Sequence, residues 1–352
     1  MDVYENCAFD CKYCVYRSGN KMGKIRSIVP SMELLEAELA EIENPGIVYL
    51  GPKADIYQPQ DKRLELTRRV LAAFERHNIS TFVVTRSELI ERDLDILRAM
   101  ATKGLVEVSV TIASARVQPA LEPGTASIEK RLDMISMLAA NGIPVSTHFS
   151  PIIPYLDDVE DLKDLMRMMT DRGASCIYAC VLGMADRYYD VVRAALPDDA
   201  MSARIDRVYE TGNRRLDIYS ADQSYIFELM SDLTDFASKR ALPFACVHIP
   251  EFDTVERSGH IFRQKLPNVG DIIRYFNRFG KKQVTLSDTI EFVNGFPAVD
   301  DAFRDTVRKF WNEGVLFRNT YFNPVDGRDG TMYERCDKLD LLVTNMRVDQ
   351  GD

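Results

Sequence analysis

Three cysteines near the start of the chain constrain its fold and chemistry more than any other feature. Cys7, Cys11 and Cys14 follow the spacing C-x3-C-x2-C, and Tyr13 comes directly before the last of them. A 4Fe–4S cluster normally takes four thiolate ligands. Since no fourth cysteine lies near the motif, the spacing predicts a cluster in which one iron stays open to another ligand.

Two alternatives compete with the cluster. A structural zinc site takes four nitrogen or sulfur ligands in paired spacing. The motif has no second cysteine pair nearby, and none of the four histidines lies within sixty residues of it. The cysteines could also be unrelated buried or disulfide-bonded residues, although their mixed spacing fits one buried face poorly. A zinc- or cluster-bearing scaffold without catalytic chemistry therefore stays open as an alternative to an enzyme.

Composition narrows the class of protein. The chain has 352 residues, a formal net charge of −10 and no dense run of Lys or Arg, which argues against a protein that binds duplex DNA by neutralising phosphates. No apolar run approaches the eighteen residues of a membrane helix, and Met1-Asp2-Val3-Tyr4 does not begin a signal peptide. We expect a cytoplasmic protein that does not enter membranes, in a compartment where cysteines hold metal rather than form disulfides.

Strand and helix patterns alternate over the first half of the chain. This alternation predicts a parallel sheet with right-handed crossovers. The predicted helices cover about 31–42, 61–77, 92–103, 128–140 and 158–172. The predicted strands are Val3–Asn6, Ile47–Leu50, Thr81–Thr85, Val106–Ile112, Val145–Phe149 and Ser175–Leu182.

The rhythm changes after Leu182, so we divide the chain into a core of residues 1–185 and an extension of residues 186–352. Helical patterns dominate the extension, with one further strand predicted at 244–249 and an irregular stretch from residue 319 onward. The helical patterns cover 188–196, 203–211, 223–240, 268–279 and 299–312.

Polar and apolar residues alternate strictly along the fourth predicted strand. Glu107, Ser109 and Thr111 share one face, opposite a face of branched apolar residues. The polar set is expected to point into a cavity, because a barrel strand packs its outer face on helices. An edge strand with one solvated face is the alternative.

Several short motifs then follow in a recognisable order. Together with the cysteines, this order resembles the spore photoproduct lyase-like branch of the radical SAM superfamily, over about residues 1–185. The resemblance implies a partial (β/α)6 TIM-type barrel with a mostly helical C-terminal extension. It also implies a 4Fe–4S cluster whose open iron binds S-adenosylmethionine, and a 5′-deoxyadenosyl radical that takes a hydrogen atom from a substrate. The motifs are Asp55-Ile56-Tyr57-Gln58-Pro59, Val84-Thr85-Arg86-Ser87, Ser109-Val110-Thr111-Ile112, Glu122-Pro123-Gly124-Thr125 with Arg131, and Pro151-Ile152-Ile153-Pro154.

The resemblance assigns roles position by position. Cys7, Cys11 and Cys14 would bind the cluster, and Tyr13 would lie against the adenine. The loop from Gly51 to Asp55 would meet the amino end of the methionine moiety, although Asp55 could equally cap its own loop. Arg86, next to Thr85, would meet the carboxylate, unless it is a surface residue paired with Glu88. Thr111 and Ser109 would bind ribose or methionine polar groups, and Glu122 with Arg131 is expected to form a structural ion pair.

One departure from the branch bears on the substrate. True spore photoproduct lyases carry a hydrogen-donating cysteine just before the aspartate of the second-strand loop, where this chain reads Gly51-Pro52-Lys53-Ala54. Repair of thymine photoproducts is therefore in doubt, although a nucleic-acid lyase of that type stays an alternative. Lys53 could bind an anion or be solvated. The substrate is unidentified, and a reducing partner such as flavodoxin or ferredoxin is expected.

Four further cysteines lie outside the motif. Cys180, near the carboxyl end of the sixth predicted strand, is our candidate hydrogen donor, with an ordinary buried cysteine as the alternative. Cys176 lies about 13 Å from it along the strand, too far for both to bind one cluster. Cys246 and Cys336 could join a second cluster only with ligands that the sequence does not reveal. His148 shares the inward spacing of Ser146 and Ser150, which also suits a core histidine.

Overall fold

The computed structural model divides the chain into two compact units, Met1–Arg263 and Gln264–Asp352. The predicted helix at 268–279, together with His248, His260 and Cys336, lies outside the described residues. The structure describes residues 1–14, 16, 24–29, 31–42, 47–114, 116, 118–196, 198–212, 214–215, 218–246, 283–295, 299, 301–313, 322–327 and 330–335.

The first unit alternates strands and helices as the sequence predicts. Its strands are β1 (Tyr4–Glu5), β2 (Arg26–Ser27), β3 (Val48–Leu50), β4 (Thr81–Thr85), β5 (Val106–Ile112), β6 (Val145–Ile152), β7 (Ile177–Val181), β8 (Met184–Ala185), β9 (Arg214–Arg215), β10 (Ile218–Tyr219) and β11 (Phe244–Cys246). Its helices are α1 (Met32–Ala40), α2 (Asp61–Leu64), α3 (Leu66–Arg76), α4 (Leu94–Thr102), α5 (Gln118–Leu121), α6 (Ile128–Ala140), α7 (Val159–Asp171), α8 (Asp186–Ala194), α9 (Asp199–Glu210) and α10 (Gln223–Ser238).

The central element is a six-stranded parallel sheet in the order β3-β4-β5-β6-β7-β11. Strands that neighbour each other in sequence also pair in space from β3 to β7, as βαβ crossovers require. In the described part of the chain the two edge strands, β3 and β11, do not pair, so the sheet is open. The predicted α/β class, a partial TIM-type barrel, is confirmed.

The prediction for the first strand was wrong in its pairing. The Val3–Asn6 segment contributes only β1, which pairs antiparallel with β2 outside the central sheet. A parallel neighbour needs a crossover helix, whereas β1 runs directly into the cysteine loop and meets the returning chain. Phe244–Cys246 supplies the sixth strand instead, next to β7.

Strand β5 lies in the middle of the sheet, and all seven of its residues are buried. The edge-strand alternative is therefore excluded. Its apolar residues join the hydrophobic core that the helices cover, while Glu107, Ser109 and Thr111 are buried on the other face.

The core of the first unit continues beyond residue 185. Tyr188, Val192, Ile205 and Leu233 are buried in the same hydrophobic cluster as the central strands. Helices α8 to α10 therefore pack as part of the first unit.

The second unit has its own small core. Two helices, Leu286–Asn294 and Asp301–Asn312, accompany a sheet formed by Gln283–Val284, Phe322–Gly327 and Gly330–Arg335. The rings of Trp311 and Tyr333 pack edge to face with centroids 4.8 Å apart. The irregular stretch predicted from residue 319 was thus wrong where the two last strands form an antiparallel hairpin. No helix in the described ranges is long and apolar enough to cross a membrane.

We predict that Leu138→Ala destabilises the first unit by about 2–5 kcal/mol. Leu138 on α6 is fully buried, so truncation removes apolar contacts and leaves a cavity. Lys130→Ala, at an exposed position of the same helix that pairs with Glu88, should change the free energy of unfolding by less than about 0.5 kcal/mol. Urea denaturation measures both, and equal effects would contradict this burial of α6.

Candidate active site

The three motif cysteines line one cavity of about 310 Å³ in the first unit. The cavity lies where the strands of the parallel sheet end, which is the functional edge of such sheets. Its other walls come from residues of β3 to β7 and from the segments that follow β3, β4 and β7. The residues that line the cavity include Tyr13, Gly51, Lys53, Asp55, Arg86, Thr111, His148, Ser150 and Cys180.

Backbone hydrogen bonds fix the cysteine loop to the segment after α5. Lys12 N donates to Leu121 O at 2.8 Å, and Gly124 N donates to Phe9 O at 3.2 Å. A Cβ atom on Gly124 would lie 2.8 Å from Phe9 Cα and 2.9 Å from Phe9 O. Only glycine therefore allows this approach.

A buried glutamine holds the other side of the same loop. Gln58 Oε1 accepts from Ala8 N at 2.8 Å, and Gln58 Nε2 donates to Asn6 O at 3.2 Å. The loop also contains two residues other than glycine with positive φ, Asn6 and Asp10. Contacts on two sides thus define its path.

The three thiols form a donor set suited to an iron–sulfur cluster, with Cys11 buried and Cys7 and Cys14 partly buried. Burial raises the pKa of Cys7 to about 11 and that of Cys11 to about 12, and the charges of Cys7 and Cys14 add to the second shift. Cysteines bind metal as thiolates. Burial disfavours the negative charge of these thiolates, and the positive charge of bound iron would compensate it. No group of three or more His, Cys, Asp or Glu in the described part of the chain is arranged around one metal ion. A cubane cluster instead binds each thiolate to a separate iron.

A buried ionic network lies beside the cysteines. Glu122 and Arg131 are fully buried and form the predicted ion pair, and the Tyr13 hydroxyl donates to Glu122. Burial raises the pKa of Glu122 and lowers that of Arg131, and the charge of each partner opposes the shift of the other. Arg131 also donates to the carbonyl of Thr111 at 3.1 Å. The network thus connects the cysteine loop to the end of β5.

Arg86 belongs to this site rather than to the surface. It lines the cavity, and its Nε lies 3.5 Å from Glu122 Oε1. Glu88, the surface partner that the sequence offered, pairs with Lys130 instead. A guanidinium at this position can bind a carboxylate through two parallel hydrogen bonds.

Asp55 acts as a cap for its own loop. Its carboxylate accepts from the backbone N of Tyr57 at 2.9 Å and of Arg86 at 2.7 Å, and from Thr85 Oγ1 at 2.9 Å. Burial raises its pKa, against the effect of these hydrogen bonds. Asp55 lines the cavity, whereas the buried Thr85 hydroxyl donates to Asp55 and accepts from Ser87 N at 3.0 Å.

The loop after β3 supplies two more of the predicted residues. Gly51 has a φ of +82°, and a Cβ there would lie 3.0 Å from Ile56 Cγ2, so the tight exit from β3 requires glycine. Lys53 is exposed at the cavity wall, and its backbone N donates to Asp2 Oδ1 at 3.0 Å.

Thr111 and Ser109 occupy different environments although they share one face of β5. Thr111 lines the cavity, whereas Ser109 is buried below it and lies 2.6 Å from His148 Nδ1. His148 itself lines the cavity. The alternating sequence of β6 revealed its inward direction but not its neighbours.

Cys180, the predicted hydrogen donor, lines the same cavity as the motif cysteines. Burial raises its pKa to about 11, so the group is a thiol at neutral pH. Cys176, directly before β7, and Cys246, on β11, are buried. Sequence reasoning missed Gly124 and Gln58 as supports of the cysteine loop, because their roles depend on contacts between distant segments.

The first 169 residues of the chain match a known protein family. Residues 1–169 match the model of the Radical SAM superfamily. The matched residues contain the cysteine motif and strands β3 to β6 of the parallel sheet.

Curated relatives share the same region. An uncharacterized protein of Methanocaldococcus jannaschii is 33% identical over 165 residues, which cover 46% of this chain and 62% of that protein. An uncharacterized protein of Mycobacterium tuberculosis is 24% identical over 189 residues, 50% of this chain and 56% of that protein. The chain thus matches about three fifths of the length of these relatives.

Solved structures agree on the fold. A mutant of spore photoproduct lyase with bound AdoMet and dinucleoside spore photoproduct superposes with a TM-score of 0.55 at 17% identity, covering 70% of this chain and 75% of that one. The resemblance that the motifs indicate is confirmed.

We predict that Gly124→Ala displaces the cysteine loop and lowers the iron content of the anaerobically reconstituted protein to a small fraction of the wild-type value. Gly142→Ala is the matched control. Gly142 has a φ of +69° and open space around it, so alanine costs about 1–2 kcal/mol in stability without touching the site. Iron analysis with thermal denaturation separates the two effects, and full iron binding by Gly124→Ala would contradict the close approach.

Proposed function

We propose that the protein holds a 4Fe–4S cluster on Cys7, Cys11 and Cys14 and uses it with S-adenosylmethionine for hydrogen abstraction from a substrate. The observation that carries this proposal is that all three cysteines line one cavity at the ends of the parallel strands. The family match over residues 1–169 supports the same reading. When bound, the reduced cluster and S-adenosylmethionine together supply a 5′-deoxyadenosyl radical.

The protein's own residues would orient the cofactor and exclude water. Arg86 is a cation on the cavity wall that can bind the methionine carboxylate, and Lys53 is a second cation on the same wall. Asp55 connects the Gly51–Asp55 loop to the segment after β4, because its carboxylate accepts from the backbone N of Tyr57 and of Arg86. The Tyr13 hydroxyl is already bonded to Glu122, so the face of the ring is the part available to an adenine.

Cys180 is proposed as the hydrogen donor that completes the reaction. Its thiol is protonated at neutral pH and belongs to the same cavity as the motif cysteines. The loop Gly51–Ala54 contains no thiol, and Cys180 is a cysteine outside the motif that lines the cavity. We further propose that residues 186–352 cover the mouth of the barrel and select the substrate. Electron supply by a flavodoxin or ferredoxin stays a prediction.

We predict that Cys11→Ala abolishes both the cluster and the formation of 5′-deoxyadenosine. The anaerobically reconstituted wild type should hold about four irons per chain and release 5′-deoxyadenosine when dithionite and S-adenosylmethionine are added. Iron content, the visible absorption spectrum and chromatography of the nucleoside measure these results.

Two cysteine variants serve as controls for that experiment. Cys176→Ala alters a buried cysteine outside the cavity and should leave iron and 5′-deoxyadenosine unchanged. Cys180→Ala should also keep its iron, because a hydrogen donor is not a ligand. Iron bound by Cys11→Ala as well as by wild type would refute the assignment of the motif, and iron loss in Cys180→Ala would make Cys180 a ligand.

We predict that Arg86→Met weakens the binding of S-adenosylhomocysteine by about tenfold or more, because a charge-assisted hydrogen bond contributes about 1.5–3 kcal/mol. Arg172→Met is the control, since Arg172 pairs with Glu129 on the surface. Isothermal titration calorimetry of the full-length chain measures both affinities. An unchanged affinity for Arg86→Met would remove Arg86 from the cofactor site.

A further inference from the structure

We propose that His148 is a substrate-binding hydrogen-bond donor on the wall of the cavity, and that Ser109 is the positioning residue that fixes its tautomer. The inference deepens the proposed function, on which its reference to a substrate rests. The chemical class it implies is a substrate that carries an acceptor oxygen, such as a carbonyl, close to the reacting carbon. Neither residue belongs to the cysteine motif or to the loops that surround Arg86 and Asp55.

The position of His148 follows from the register of the sheet. His148 lies opposite Thr111 of β5 and Tyr178 of β7. Its ring packs against Phe82 and Tyr178, with centroids 5.8 Å and 5.4 Å away. The two aromatic rings and the Ser109 hydroxyl together hold the imidazole in one orientation.

The hydrogen bond to Ser109 determines which ring nitrogen carries the proton. Ser109 Oγ lies 2.6 Å from His148 Nδ1, and Nδ1 is the one hydrogen-bond partner of this hydroxyl among the described residues. A buried hydroxyl hydrogen without an acceptor costs about 1–3 kcal/mol, so Ser109 donates to Nδ1. In a neutral imidazole the hydrogen then lies on Nε2.

The neutral state of the ring has a physical cause. Burial, with a contribution from the charge of Arg86, lowers the pKa of His148 to about 4. The imidazole is therefore uncharged at neutral pH.

Because Nδ1 is bonded to Ser109, Nε2 is the ring nitrogen that is available for a hydrogen bond to a molecule in the cavity. In the described ranges it has no hydrogen-bond partner, whereas the ring itself lines the cavity. A donor N–H in this position binds an acceptor and rejects a donor or a cation, because a buried N–H without an acceptor is unfavourable.

His148 lies with Cys180 on the side of the cavity formed by β6 and β7. Ser150, two residues after His148 on β6, lines the cavity and hydrogen-bonds the Cys180 thiol. Of the residues expected to hold S-adenosylmethionine, Tyr13, Lys53, Asp55 and Arg86 belong instead to the cysteine loop and the segments after β3 and β4, whereas Thr111 of β5 lies opposite His148. A molecule that contacts His148 would therefore also be close to the proposed hydrogen donor.

Nitrogen NMR of the full-length chain labelled with ¹⁵N-histidine tests the tautomer. The sequence contains four histidines, so His148→Phe identifies the signal. We expect the Nε2–H tautomer in wild type and its loss or mixing with the Nδ1–H form in Ser109→Ala. A wild-type Nδ1–H tautomer would overturn the proposal.

Two probes of similar size test the donor. Dimethyl sulfoxide offers an acceptor oxygen, and trimethylammonium offers only a donor and a positive charge. We expect dimethyl sulfoxide to shift the Hε2 resonance of His148 saturably, and trimethylammonium to leave it unchanged. No shift with dimethyl sulfoxide, or equal shifts with both, would overturn the assignment.

A third measurement separates substrate from cofactor. His148→Phe should bind S-adenosylhomocysteine within about twofold of the wild-type affinity. A tenfold loss would assign His148 to the cofactor and overturn its substrate role. The NMR experiments need neither iron nor turnover, so failure of the proposed radical chemistry would leave the cluster assays negative and these spectra unaffected.

Discussion

The buried ion pair between Glu122 and Arg131 is the interaction on which the site depends. Arg131 binds the backbone at the end of β5 and the carbonyl of Ala126, while Glu122 accepts the hydroxyl of Tyr13. Removing one partner of a buried pair typically costs about 3–5 kcal/mol, because the other charge is left uncompensated. The pair thus ties the cysteine loop to the sheet. Glu122 also lies 3.5 Å from Arg86 Nε, so it supplies a counter-charge to Arg86 while the two terminal nitrogens of the guanidinium can bind another group.

The rest of the site follows from the parallel sheet. Each crossover returns the chain so that β3 to β7 end at the same edge, where the segments after them form one cavity. Apolar side chains on the outer faces of the strands pack against helices. The inner faces are free to carry polar residues, and they do so from Thr111 on β5 to Cys180 on β7. A site of this kind combines a rigid scaffold with loops that differ in sequence, which suits chemistry performed largely by bound cofactors.

The sequence predicted most of the first unit because its patterns are local. Alternation along Val106–Ile112 identified a strand with a polar inner face, and the cysteine spacing identified the donor set. The pairing of β1 could not be predicted, because two residues carry too little pattern to choose a partner. Ser109 and Thr111 looked equivalent on the strand, and only the cavity and His148 distinguish them. Gly124 gave no local sign of its role, since the constraint comes from the backbone of Phe9, more than a hundred residues earlier. In the second unit, the many Asn, Asp and Gly residues after residue 319 suggested irregular structure, where Phe322–Gly327 and Gly330–Arg335 form an antiparallel pair.

The central claim is that three thiolates hold a cluster with one iron open to S-adenosylmethionine. Electron paramagnetic resonance of the reconstituted, reduced full-length protein tests it most directly. The account predicts a reduced 4Fe–4S signal whose g-values change when S-adenosylmethionine is added, because the new ligand binds one iron. A cluster signal that S-adenosylmethionine leaves unchanged, or a protein that takes up zinc and no iron, would contradict it.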